Sequence, residues 1–238
     1  MSTEKEFHDI SQSEDIAAIQ NQSKKKMPWY AVLLAVVFCI AAFILLCYSV
    51  FTFIFVRTEV VGVSMQPTYN INLTIGTDYE NSPYKDIVYV NRFNKGGHED
   101  IVVIKQTATR NIIKRIVAVE GDKIDILKDP SDNLYYVYIQ YAGQGEFIKQ
   151  DEPYINSRLE MQFVYTEWQS YKLNNGIPSS SPLTVPEGHV FVMGDNRAHS
   201  EDSINLGPIK RSDIEGTVSF SLRYNQSFLE YWWKRIFG

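Results

Sequence analysis

Three stretches carry residue types able to do chemistry. The first is Val60-Val61-Gly62-Val63-Ser64-Met65-Gln66-Pro67-Thr68, an apolar β-branched run broken by Gly, then Ser, then Pro. Gly and Pro punctuate the backbone, so Ser64 is expected where a strand ends and a turn begins, its hydroxyl presented rather than packed. A serine hydroxyl is a weak nucleophile and takes its meaning from a base. The second stretch, Asn111-Ile112-Ile113-Lys114-Arg115-Ile116-Val117-Ala118-Val119, reads as a strand. Alternation puts Lys114 on the face of Ile112, Ile116 and Ala118, with Ile113, Val117 and Val119 opposite. A strand lysine is ordinarily a solvated edge charge. One flanked by aliphatic groups on its own face is different, because desolvation disfavours its ammonium form. To serve as a base near neutral pH it must titrate well below the ordinary lysine value of about 10.4, and apolar surroundings are the means available.

The third stretch, 190–203, is an apolar strand running into Gly194-Asp195-Asn196-Arg197 and a dense polar loop that ends Ser200-Glu201-Asp202-Ser203. By composition it is a turn, since Asp and Asn hydrogen-bond their own backbone. It also offers hydroxyls and carboxylates able to orient a neighbouring amine and arginine. A Ser-His-Asp triad can be drawn from Ser64, His199 and Asp195 or Asp202, although no complete G-x-S-x-G surrounds Ser64 and no helix pattern follows it. His98-Glu99-Asp100 lacks the ligand spacing of a transition-metal site and reads as a solvated turn. No phosphate-cradling Gly loop is present.

The elements that must position these residues begin with a membrane anchor. No charge occurs from Met27 to Val56, and the segment from Trp29 is almost wholly apolar and aromatic. At ~1.5 Å per helical residue it exceeds the roughly 30 Å of a hydrocarbon core. It is also longer than the apolar region of a cleavable signal peptide, about 7 to 15 residues. Lys24-Lys25-Lys26 precede it and only Arg57 follows closely. The positive-inside rule then makes 1–26 a cytoplasmic tail, 27–56 the transmembrane anchor, and 57–238 extracytoplasmic. Ser64 follows Arg57 by seven positions, which at ~3.3 Å per extended residue keeps it within roughly 23 Å of the membrane exit.

Beyond the anchor, short apolar runs alternate with turn residues. Expected strands are Thr58 to Val63, Asp86 to Phe93, Ile101 to Lys105, Asn111 to Val119, Lys123 to Leu127, Leu134 to Tyr141, His189 to Met193 and Gly216 to Leu222. No long helical periodicity is read there, so the fold class is mainly β: an N-terminal transmembrane helix followed by an antiparallel β domain. The aromatic, amide-rich and Ser/Pro-rich stretch 142–186 reads as an inserted subdomain. Phe228 to Phe237, with Trp232, Trp233, Lys234 and Arg235, suits either a membrane interface or packing on the sheet. The formal net charge of -5 offers no basic patch for nucleic acid. Cys39 and Cys47 both lie in the anchor, so the polar remainder can form neither a disulfide nor a Cys-based metal site.

Taken together, the anchor, Ser64 to Thr68, Lys114-Arg115 with Gly121-Asp122, and Gly194 to Arg197 through Asp202-Ser203 resemble bacterial type I signal peptidase, from the anchor to about Gly216. The resemblance implies a Ser/Lys-dyad endopeptidase that removes signal peptides from exported preproteins after small residues, typically Ala-x-Ala. It implies a catalytic domain against the outer face of the plasma membrane, with no cofactor and no metal. Its implied partners are signal-peptide-bearing preproteins and membrane lipid, with the secretion machinery as a further candidate. Residue by residue, Ser64 would be the nucleophile, Lys114 the unprotonated general base, Ser200 the serine that helps orient the lysine, and Arg115 the structural partner of Asp195. Asp86-Ile87-Val88 and Asp100-Ile101-Val102-Val103 resemble family strands lining the core and the substrate groove.

Two residues depart from the family pattern. Gly62 stands where some members carry an oxyanion-donating serine, which leaves the oxyanion hole more to the backbone N–H of Ser64. Ile204 replaces the Arg of the usual Asp-Ser-Arg, so Asp202 is expected to lack its customary partner. Two rival readings are a catalytically silent relative acting as a binding module and a self-cleaving Ser/Lys repressor-type protease. The presence of both Ser64 and Lys114 speaks against the first, and the anchor against the second.

Overall fold

The computed structural model describes residues 27–107 and 110–237, in two compact units that meet in sequence at Phe51 and Thr52. The residues assigned to a cytoplasmic tail, 1–26, lie outside the described ones. Helix α1, Trp29–Ile54, supplies the first unit and the first residues of the second; none of its 26 residues is buried and it carries no charge. A helix apolar on every face and buried at none of its residues suits a hydrocarbon solvent.

The second unit is mainly antiparallel β, as the sequence pattern predicts. Strands β1 (Phe55–Glu59), β2 (Ile87–Asn91), β3 (Ile101–Lys105), β4 (Asn111–Val119), β9 (His189–Met193), β10 (Ile209–Lys210) and β11 (Ile214–Leu222) form a sheet in the order β1-β2-β11-β3-β4-β9-β10. Strands β5 (Lys123–Lys128), β6 (Tyr135–Gln140), β7 (Ile148–Lys149) and β8 (Leu183–Thr184) form a second sheet, ordered β7-β6-β5-β8. The segment 142–186 contributes β7, β8 and helix α2 (Met161–Asn174) to this layer. Strands β5 and β6 come from outside it.

Three expectations are corrected. The strand expected at Thr58 to Val63 lies earlier: Phe55 to Glu59 pair with Asn91 to Ile87, while Val60 to Val63 leave the sheet through a bend in which Gly62 has φ 86°. Only Gly adopts that backbone without a Cβ penalty. A helix does occur beyond the anchor. In α2 the buried residues are Met161, Val164, Trp168 and Lys172, a 3-4-4 spacing whose last member is a lysine, which hides the apolar stripe from hydropathy alone. Finally, Ala118 does not continue the face of Lys114. A bulge between Ile116 and Ala118 resets the alternation, and Val117 and Ala118 both enter the core beneath the second sheet with Ile124, Val137, Trp168 and Phe191. Two further clusters hold the large sheet: Val60, Met65, Val88 and Val103 with Ile113 on one side, and Val102, Ile104, Ile116 and Val192 on the other.

Candidate active site

Ser64 sits on a turn strapped at several points. Asn196 donates from its backbone N–H to the Ser64 carbonyl at 3.0 Å and from Nδ2 to the Val63 carbonyl at 3.1 Å. Asn70 Nδ2 donates to the carbonyls of Val60 and Gly62 at 2.6 and 2.9 Å. Asn70 is held in turn by Asp86, which accepts from its backbone N–H at 2.9 Å and donates its own to Oδ1 at 2.7 Å. Buried Met65 and Tyr69 anchor the turn from beneath. The chain therefore spends buried apolar area and four carbonyl acceptors on fixing one half-exposed serine.

Lys114 is 3% exposed. Its backbone pairs opposite Val102 in β3, and Nζ lies 2.9 Å from Ser64 Oγ and donates to the Ile113 carbonyl at 3.0 Å. Burial pushes the lysine below its ordinary value; Asp202, Glu201 and Asp195 oppose the shift from a distance, and Arg110 adds to it. No carboxylate forms an ion pair with Lys114 among the described residues. A buried amine without a counter-ion is driven toward its neutral form, which carries a lone pair.

The polar loop closes the site from the other side. Arg115 donates to both oxygens of the fully buried Asp195, Nε at 2.9 Å and Nη2 at 2.6 Å, and its guanidinium covers the ring of Tyr154. Thr68 donates to the same carboxylate at 2.5 Å, tying the serine turn to the ion pair. Gly194 is required by proximity, since a Cβ there would collide with Ser200 Oγ and with the Ser64 carbonyl oxygen. Ser200 Oγ is buried. Asp202, expected to lack a partner, caps the short helix α3 (Ser203–Leu206) by accepting from Ile204 N at 3.1 Å, and accepts from Gly194 N at 2.8 Å. Burial pushes its carboxyl up, against the lowering influence of Ser200 and these amides. Ile204 itself is buried in the core around Trp168.

A cleft of about 700 Å³ opens beside the pair. One wall is Thr58 to Val63 and another Arg110 to Lys114, with Val88 and Val103 at its base and Glu201 at the rim. Strand β9 pairs with β4 only from Arg115 onward, so Asn111 to Lys114 keep β3 on one side and face the cleft on the other. An unpaired strand edge of this kind can hydrogen-bond an extended chain.

The structure thus brings Ser64, Lys114 and Gly62 to the cleft and Arg115, Asp195 and Ser200 to the loop behind it. The triad alternative finds its carboxylates committed elsewhere: Asp195 to Arg115 and Thr68, Asp202 to backbone amides. His98, placed in a solvated turn, reaches Asp122 at 2.6 Å. Asn70, Thr68 and Asn196 escaped the sequence reading as site residues. The polar residues just after Ser64 are the one signal that marked two of them, since a turn rich in Gln, Thr and Asn needs acceptors from elsewhere. Among the described residues, no group of three or more His, Cys, Asp or Glu side chains is placed to hold a metal ion.

Residues 31–223 match the family model described as signal peptidase, peptidase S26. The chain is 31% identical over 184 residues to signal peptidase IB of Staphylococcus aureus, covering 75% of this chain and 83% of that protein. It is 34% identical over 171 residues to signal peptidase I of Bacillus licheniformis, covering 71% and 76%. A crystal structure of a signal peptidase I from Enterococcus faecalis V583 aligns with 21% identity and a TM-score of 0.33, over 52% of this chain and 97% of that one. A family match spanning most of the chain, joined to a single apolar helix ahead of an antiparallel β unit, makes this a membrane-anchored serine peptidase of the bacterial type I signal peptidase family, S26.

Proposed function

We propose that the protein removes signal peptides from exported preproteins by a Ser/Lys mechanism with Ser64 as nucleophile and neutral Lys114 as general base. The observation that carries this reading is the 2.9 Å approach of a 3%-exposed lysine to Ser64 with no carboxylate paired to it. In its neutral form the amine accepts the Ser64 hydroxyl proton as Oγ attacks the scissile carbonyl carbon. The C–N bond then breaks, Lys114 returns the proton to the leaving amine, and an ester to Ser64 remains. Lys114 next takes a proton from water, the hydroxide attacks the ester, and the proton goes back to Ser64 Oγ. The backbone N–H of Ser64 is the oxyanion donor, since Gly62 has no hydroxyl to offer. The Arg115–Asp195 pair holds β4 against the loop that carries Ser200, whose buried Oγ bonds neither Ser64 nor Lys114.

The substrate lies in the cleft as an extended strand along Asn111 to Lys114. Alternate side chains then point down toward Val88 and Val103, which favours small residues before the cut. Lys24-Lys25-Lys26 set the N-terminus in the cytoplasm and the cleft outside. A signal peptide held in lipid then presents its cleavage site close to Ser64. Incubating the full chain in lipid with one preprotein tests this directly. Product N-termini following a small-x-small sequence, lost in Ser64→Ala and in Lys114→Ala, are expected; processing that survives either change contradicts the assignment.

A further inference from the structure

Helix α4, Phe228–Phe237, lies beyond the segment matched to the family, which ends at residue 223. At 100° per residue, Phe228, Trp232, Ile236, Leu229, Trp233 and Phe237 follow one another around one half of the helix. Glu230, Lys234, Tyr231 and Arg235 occupy the other half. Among the described residues the helix meets protein along the leading edge of the apolar half and at Tyr231 beside it: the rings of Phe228, Trp232 and Tyr231 lie 6.2, 6.0 and 5.7 Å from that of Phe220 in β11, and Phe228 lies 6.0 Å from Tyr89 in β2. Leu229, Trp233, Ile236 and Phe237 are 80%, 66%, 65% and 68% exposed. Contiguous apolar surface left open in this way marks a contact with something else.

Chain continuity says what covers it. Phe220 also touches Phe55 at 5.9 Å, and Phe55 directly follows α1, inside a stretch that has no charge until Arg57. One ring therefore separates α4 from the point where the chain leaves its apolar span. Tryptophan beside an aliphatic face, with Lys234 and Arg235 on the opposite half, is the side-chain set that suits the headgroup level of a bilayer.

We propose that α4 is a second membrane contact, lying in the plane of the bilayer that holds α1, with Leu229, Trp233, Ile236 and Phe237 in lipid and Glu230 and Lys234 in water. The proposal rests on α1 as the membrane span and is independent of the Ser/Lys chemistry. A single span leaves the second unit free to swing. A second attachment restricts that motion and raises the effective concentration of the cleft at membrane-held substrates.

Both cysteines of the chain are in α1, so Cys39→Ser with Cys47→Ser gives a thiol-free background. Nitroxide labels attached after Trp233→Cys or Glu230→Cys report accessibility in the full chain reconstituted in phosphatidylglycerol/phosphatidylethanolamine vesicles. The label at position 233 should be reached by oxygen and shielded from a water-soluble nickel chelate, and the label at 230 should show the reverse. Equal nickel access at both positions overturns the proposal. So does spin–spin broadening at 233 that disappears on dilution with unlabelled protein, because a second copy would then cover the face. The triple change Leu229→Glu, Trp233→Glu, Ile236→Glu should slow cleavage of a vesicle-embedded preprotein roughly fivefold or more while leaving a short soluble peptide cleaved at the parental rate. Unchanged preprotein cleavage, or equal slowing of both substrates, counts against it. If the parent cleaves neither substrate, the peptidase reading fails and the label accessibilities still decide the role of α4.

Discussion

The second unit buries two lysines, and they are treated in opposite ways. Lys172, fully buried in α2, has Asp125 Oδ1 at 2.9 Å and the carbonyls of Ser179 and Ser181 at 2.7 and 3.3 Å. Three acceptors, one of them a carboxylate, match the three donors of an ammonium group. Lys114, 3% exposed, has one hydroxyl and one carbonyl, and its nearest carboxylates act only through space. Burial is common to both sites, so burial does not by itself make a base. The difference lies in withholding a counter-ion from an amine already removed from water, and supplying instead a hydroxyl able to donate a proton.

The sharpest way to break this comparison is by activity. Ser64→Ala or Lys114→Ala should lower kcat/KM for a preprotein by at least about 10³-fold. Lys172→Met removes no group from the cleft and should leave whatever protein stays folded active. Stability should invert the ranking. Lys172→Met strips the buried carboxylate of Asp125 of its counter-ion, leaving it the neutral donors Trp168 Nε1 at 2.7 Å and Ile126 N at 2.9 Å, and should cost about 3–5 kcal/mol. Lys114→Met orphans no charge and should stay within about 1 kcal/mol of the parent or exceed it. The sign follows from linkage. A lysine whose folded pKa lies below its unfolded value binds fewer protons when folded, so it weakens the fold below its unfolded pKa and the penalty fades as pH rises through the window between the two. Denaturant titrations at pH 6 and pH 9 should therefore show the advantage of Lys114→Met shrinking at the higher pH.

A smaller effect tests how closely the loop must approach. Gly194→Ala inserts a methyl group against Ser200 Oγ and the Ser64 carbonyl, and displacement of the serine should cost on the order of 10²-fold in kcat/KM with about 1–3 kcal/mol of stability. The smallest effects come from the rim. Activity should rise with pH as Lys114 loses its proton. Glu201→Gln removes a charge that favours the ammonium, so that rise should move to lower pH; Arg110→Gln removes a repulsion and should move it to higher pH. Both residues are exposed, so the two displacements should be small and should shrink as salt is added.

The strand that sets Lys114 beside Ile112 and Ile116 and the turn at Ser64 were readable because they are local; the bulge that takes Ala118 off that face and the early end of β1 at Glu59 were not. The hydrogen bonds that fix the serine were not readable, because Asn70, Asn196 and Asp86 reach its turn only after distant segments fold together; Asn70 and Asn196 look like ordinary turn residues in their own stretches, and Asp86 like the start of a strand. Helix α2 was missed because its buried stripe includes Lys172 rather than a fourth apolar residue. The start of β1 was hidden for the opposite reason: Phe55 and Val56 are as apolar as the span before them, and only pairing with Asn91 and Val90 makes them a strand. Asp202 finds its partners locally, in the backbone amides of Gly194 and Ile204.

The neutrality of Lys114 is open to direct measurement by following ¹³Cε and ¹⁵Nζ signals of labelled lysines across pH in the full chain, with Lys114→Met to assign the resonance. One lysine should titrate well below the rest, and its signal should be missing from the Lys114→Met spectrum. If the Lys114 signal instead moves together with those of the solvent-exposed lysines, the amine is charged at working pH and cannot accept the Ser64 proton.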